Sequence, residues 1–236
     1  MKKVAKIVLA IIIIPPLVIA AVLVVLNFTA VFAKDLPLLK TGDIIFQTSH
    51  SSQSLAILLA SGSAYSHMCI IEIDERGNAF VEEATGPVKT TPLDQWIKHG
   101  TGSRITIKRM ADLHPEEAVS VLKAAHNYDG LPYDIFFLPS KDAIYCSELV
   151  QLAFKEGAGI NLGKFEKVKT LNIDNFAARK LIQKRWRKDP LCQPAENETF
   201  ESCFNKILEQ DLVTPASISA DSKLQTVYSN YGILKE

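Results

Sequence analysis

Cys146 has the residue type and setting for covalent chemistry. In the run Ala143 to Phe154, Cys146, Leu149, Val150 and Ala153 fall at i, i+3, i+4 and i+7, so they share one face of an amphipathic helix. The spacing predicts a helix over Ala143–Glu156, with Ser140 or Asp142 as N-cap and Gly157 as its stop. The thiol then lies in the first turn, where unpaired N–H groups and partial positive charge favour the thiolate nucleophile. A buried structural cysteine satisfies the same pattern, so the surrounding residues decide. His67 stands in the apolar run Tyr65–Ile71, and strand alternation puts His67, Cys69 and Ile71 on one face. A histidine there is either a hydrogen-bonded core residue or a general base. Glu82 and Glu83 point to opposite faces of the next strand, so one of them can face His67 and fix its tautomer, as nucleophile–base–orienter sites require.

These residues need a scaffold of short strands and helices. Asp43–Gln47 reads as a strand after the turn Thr41-Gly42, and Ser51–Ala60 as a helix capped by Ser51 or Ser52 with Leu55, Leu58 and Leu59 on one face. Strands are expected at His67–Ile73, Ala79–Ala84 and Arg104–Arg109, the first two joined by the hairpin-type connection 74–78. A further helix is expected at Pro115–Asn127, with the proline in its first turn. Mixed elements with hairpin links indicate an α+β fold, and no glycine-rich phosphate loop occurs.

Five segments in order, TGDIIFQ (41–47), YSHMCII (65–71), EATGPVKTTPLDQWI (83–97), LPYD (131–134) and YCSELV (145–150), resemble the permuted papain-like amidases of the YiiX/YaeF-like group. That family is related to the NlpC-type cell-wall peptidases and to the lecithin:retinol acyltransferase-like enzymes. The resemblance covers roughly residues 38–180, with weaker similarity around 211–219. It implies a circularly permuted papain-like (NlpC-type) fold with a small antiparallel sheet and packed helices, in which the histidine precedes the cysteine. By this resemblance His67 is the catalytic base, Cys146 the nucleophile and Glu83 the polar orienter. Tyr133 is similar to a tyrosine whose hydroxyl helps the oxyanion site in the NlpC-type enzymes. The implied reaction is hydrolysis or acyl transfer at an amide or ester bond of a cell-wall peptide, a lipid or a small amide. The alternative is a non-catalytic module that binds lipid or peptide at the membrane surface.

The chain has 236 residues, 26 basic and 26 acidic, with 47% apolar and 22% charged, which suits one globular domain with an appendage. Residues 1–33 hold three lysines and no acid, leaving 23 basic against 26 acidic residues from 34 onward. A net negative domain gives no electrostatic footprint for nucleic acid, which is not an expected partner. Ile7–Leu26 is uncharged and long enough to span a bilayer. Preceded by Lys2, Lys3 and Lys6, it is expected to be a transmembrane anchor or a signal peptide cut after Ala33. Residues 34–236 would then work on the periplasmic face of the inner membrane, or in the periplasm after cleavage. A polar excursion is expected at about 184–210, where Cys192 and Cys203 would form a disulfide. No cofactor and no metal is expected: His67, Cys69 and Glu72 lack the four ligands and close paired spacing of a structural zinc site.

Overall fold

The computed structural model describes residues 36–192 and 198–231; the apolar segment Ile7–Leu26 and Ala33 lie outside them. Among the described residues no helix is long and apolar enough to cross a membrane. Alternating apolar residues build strands β1 (Ile44–Ser49), β2 (His67–Ile73) and β3 (Ala79–Ala84), as expected from the sequence. They continue into β4 (Val88–Pro92), β5 (Gly100–Met110) and, near the end of the described chain, β8 (Leu224–Ser229). The six strands form an antiparallel sheet of order β4-β3-β2-β1-β5-β8. A two-stranded sheet joins β6 (Glu166–Lys167) and β7 (Asp211–Leu212).

The helices are α1 (Ser54–Ser61), α2 (Leu93–Lys98), α3 (Pro115–His126), α4 (Cys146–Ala158), α5 (Phe176–Arg185), α6 (Phe200–Leu208) and α7 (Pro215–Ser219). One face of the sheet, with Ile44, Phe46, Met68 and Ile70, packs against Val121 and Ala125 of α3 and Leu149, Val150, Ala153 and Phe154 of α4. The opposite face carries the buried Cys69, Ile71 and Val81, and α2 brings Leu93, Trp96 and Ile97 into the interior. Burial of a large apolar side chain contributes about 1.5–3 kcal/mol, so these two layers dominate the stability of the domain.

Three local readings change. α4 starts three residues later than the sequence pattern suggests, and its N-cap is Tyr145, with no side-chain cap from Ser140 or Asp142. Gly157 lies inside that helix, whose stop is Gly159 in the left-handed conformation at φ 70°. A Cβ on Gly157 would stand 2.4 Å from Val121 Cα, so this glycine permits the close crossing of α3 and α4. On α1 the buried residues are Ser54 and Ala56, while Leu55 is half exposed. Ser54 turns inward because its hydroxyl lies 2.7 Å from that of Ser49 and 2.9 Å from those of Ser51 and Ser66. Among the described residues of the expected excursion at about 184–210, the end of α5 and α6 flank short 3₁₀ turns, and the Cys192–Cys203 disulfide, Cα–Cα 5.0 Å, packs with Val168 and Ile207.

Candidate active site

The first residue of α4 and the first residue of β2 meet at one end of the sheet. Cys146 and His67 are both buried and hydrogen-bonded to each other. His67 Nε2 lies 3.0 Å from Glu83 Oε2, which leaves Nδ1 for the cysteine. Glu83 is the member of the acidic pair that faces His67, because Glu82 pairs in register with Ile70 on the other face of the sheet. Thr91 Oγ1 donates to Glu83 Oε1 at 2.6 Å, so both carboxylate oxygens are held. The Trp96 ring lies tilted beside the imidazole, centroids 5.8 Å apart.

Burial alone would keep Cys146 protonated. The hydrogen bond and charge of His67, the Met68 backbone N–H and the Tyr133 hydroxyl outweigh it, and the thiol is held below its ordinary range. For His67 burial favours the neutral ring, but Cys69, Cys146 and Glu83 all favour the imidazolium and the net shift is well upward. Burial also opposes ionisation of Glu83, yet its contacts with His67 and Thr91 hold it below the usual carboxylate range. These shifts run toward a thiolate–imidazolium pair backed by a carboxylate. Cys69 differs: burial pushes its thiol up to about 12, so it stays protonated. Its sulfur lies 3.7 Å from His67 Nε2, on the carboxylate side of the ring.

Tyr133 enters through the segment 131–134, which pairs with Ile144 two residues before the cysteine; Asp134 N donates to Ile144 O and Ile144 N to Pro132 O. Arg185 Nη1 donates to Gln53 Oε1 at 3.1 Å, and Gln53 Nε2 donates to the Tyr133 hydroxyl oxygen at 3.0 Å. With its oxygen already accepting, the tyrosine directs its one proton at Cys146. Burial raises Tyr133 well above its ordinary value, so the proton is retained. Cys146 is the first residue of α4, and its backbone N–H is a second donor beside its own sulfur.

Two cavities meet here. An apolar one of about 130 Å³ runs from Cys146 between Ile57, Phe136, Leu181, Ile182 and Val213. A polar cleft on the other side is lined by His67, Glu83, Gln53 and His99. Tyr133, Ile135 and Arg185 border both. The sequence brought Cys146, His67, Glu83 and Tyr133 into view, and the fold gathers all four. Gln53, Thr91, Arg185 and the apolar cavity escaped it, since only Thr91, eight residues from Glu83 across a hairpin, carries a local signal. Glu72 is separated from His67 and Cys69 by strand alternation and lies on the opposite face.

The antiparallel sheet, packed helices and His-before-Cys order define a circularly permuted papain-like protein. The family described as permuted papain-like amidase enzymes, YaeF/YiiX, matches residues 38–228, and the chain belongs to it. It is therefore a cysteine hydrolase of the papain type. "Uncharacterized protein YiiX" of Escherichia coli (strain K12) is 35% identical over 189 residues, 80% of this chain and 85% of the relative. "Probable lipoprotein peptidase YaeF" of the same organism is 30% identical over 125 residues, 49% of this chain and 43% of the relative. The solved structure described as metalloprotein yiiX from Escherichia coli O157:H7 superimposes with a TM-score of 0.70 at 35% identity, covering 80% of this chain and 97% of that one.

Proposed function

We propose that Cys146, His67 and Glu83 hydrolyse an amide or ester whose acyl part is apolar, with Tyr133 as an oxyanion donor. The observation that carries this reading is a buried cysteine–histidine pair, its pKa values shifted toward the ion pair, beside an apolar cavity that Cys146 lines. The Cys146 thiolate attacks the carbonyl carbon, and the resulting oxyanion accepts from the Cys146 backbone N–H and the Tyr133 hydroxyl. His67 passes its Nδ1 proton to the leaving nitrogen or oxygen, the carbonyl re-forms and a thioester remains. Neutral His67 then takes a proton from water, the hydroxide adds, and collapse releases the acid and restores the thiolate and imidazolium. The acyl chain lies among Ile57, Leu181, Ile182 and Val213, and the polar cleft takes the departing group.

The chain acts outside the cytoplasm on this reading, held or exported by the segment Ile7–Leu26 behind its three lysines, with a lipid of the cell envelope as substrate. The word lipoprotein in the name of the YaeF relative supports the same address. The test is a series of p-nitrophenyl esters from acetyl to dodecanoyl. Each methylene buried is worth up to about 0.8 kcal/mol, so kcat/KM is expected to rise up to about fourfold per carbon until the cavity is filled. Turnover of cell-wall stem peptides with no dependence on ester chain length would overturn the apolar assignment. A reactive thiolate without turnover of any ester, amide or stem peptide would favour the binding module.

A further inference from the structure

A second set of titratable side chains meets where the last turn of α3 approaches β2 and β3, on the face away from His67. Glu82 is fully buried; its Oε2 accepts from Thr90 Oγ1 at 2.8 Å, while its Oε1 has no hydrogen-bond partner. His126, the last residue of α3, stands among three carboxylates. Its Nδ1 lies 3.2 Å from Asp129 Oδ2 and 3.5 Å from Glu82 Oε2, and its Nε2 lies 3.5 Å from Glu72 Oε2. Among the described residues His126 is the cationic partner these carboxylates have. Three carboxylates thus converge on one imidazole, with Glu82 Oε1 left as an orphaned buried acceptor among them.

We propose that His126 Nδ1, Glu82 and Asp129 form a binding site for one divalent cation of the zinc type, with Glu72 holding the ring through Nε2–H. Zinc–nitrogen and zinc–oxygen bonds of about 2.0–2.2 Å in a tetrahedron place neighbouring ligand atoms about 3.4 Å apart. The separations of 3.2 and 3.5 Å around Nδ1 bracket that value. A ligating histidine commonly gives its other N–H to a carboxylate, which is the position of Glu72. An imidazole with carboxylates suits a transition metal better than calcium or magnesium, which take oxygen ligands. The half-exposed Asp129 leaves one side open for a water as fourth ligand. Glu82 and Glu83 are consecutive and face opposite ways, so the cation ties β3 to α3 from one side while Glu83 serves His67 on the other.

The test uses the full-length chain carrying Cys69→Ser and Cys146→Ser, which removes the thiols as competing zinc ligands, stripped of metal and titrated with Zn²⁺ by calorimetry. One equivalent is expected to bind and to raise the midpoint of thermal unfolding. Glu82→Gln and His126→Gln are expected to abolish both effects, and Glu72→Gln to weaken binding 10–100-fold. His126 is part-exposed at a helix end, so its variant keeps the test open if Glu82→Gln does not fold. Absence of binding, or binding that His126→Gln leaves unchanged, overturns the proposal.

Discussion

Gln53 fixes the direction of a proton, and replacing it with glutamate should reverse that direction at almost constant volume. In the native chain Arg185 donates to the Gln53 oxygen, which turns the amide N–H toward Tyr133 and the tyrosine proton toward Cys146. A carboxylate at 53 can only accept. It still takes the Arg185 hydrogen bond on one oxygen, but the other draws the tyrosine proton away from the reacting sulfur. Losing one oxyanion donor costs about 10²–10³ in kcat, or about 2.7–4 kcal/mol. Gln53→Glu should therefore be as slow as Tyr133→Phe. Gln53→Met removes one neutral hydrogen bond and leaves the tyrosine proton free to point at Cys146, a loss of about 0.5–1.5 kcal/mol or about 2- to 13-fold. Initial rates of ester hydrolysis measure all three variants. The double variant Gln53→Glu/Tyr133→Phe should be no slower than either single one, because both remove the same proton. Activity of Gln53→Glu within tenfold of the wild type, or losses that add in the double variant, would refute the relay.

Alkylation of Cys146 should stay fast as pH falls below the ordinary thiol range and fail only as pH passes through its lowered pKa. In His67→Ala the effect of burial is left less opposed, and the fast phase near neutral pH should disappear; iodoacetamide kinetics read both. One thiol per chain should react in the native state, since Cys69 is buried and held up to about 12, and Cys146→Ala should leave none in a mass-spectrometric count. Gly157→Ala gains about 1 kcal/mol of helix propensity but drives a methyl to 2.4–2.6 Å from the backbone of Ser120 and Val121. Overpacking of up to about 3 kcal/mol wins, so urea unfolding should show a net loss of about 2 kcal/mol; an unchanged midpoint would contradict the close helix crossing. Reducing Cys192–Cys203, separated by 11 positions, should destabilise the chain by about 3 kcal/mol in the chain-entropy picture, and the same unfolding curves taken with and without reductant measure it.

The strands that carry His67 and Glu83 were legible because alternation over β2 and β3 is long and the hairpin between them local. Alternation alone stopped at Glu82 or Glu83, and the register of Glu82 opposite Ile70 settles which one faces the base. α1 was misread because its inward face holds serine hydroxyls that satisfy one another, which an apolar-periodicity argument counts as solvent-facing. The start of α4 was misplaced because its N-cap is Tyr145, which offers no side-chain cap, so the usual Ser or Asp signal pointed too early. Gly157 looks like a stop in sequence, and only the neighbouring helix reveals it as a place where two backbones touch. Arg185 and Gln53 are 132 residues apart, beyond any local pattern.

His67 and Glu83 are 16 residues apart on one hairpin, whereas Cys146 is supplied by a helix much later in the chain. The base and its carboxylate can assemble by a short-range event, while delivery of the sulfur waits on a long loop closure and on the docking of α4 against α3 and the sheet. Until that docking the sulfur has neither the histidine nor the Met68 and Tyr133 donors that hold its pKa down. The partly folded chain is then expected to carry a thiol of ordinary reactivity, which gains its nucleophilic character only on docking. Nucleophilicity becomes a certificate of finished folding, and a pulse of alkylating reagent applied during refolding should time-stamp the moment it is issued.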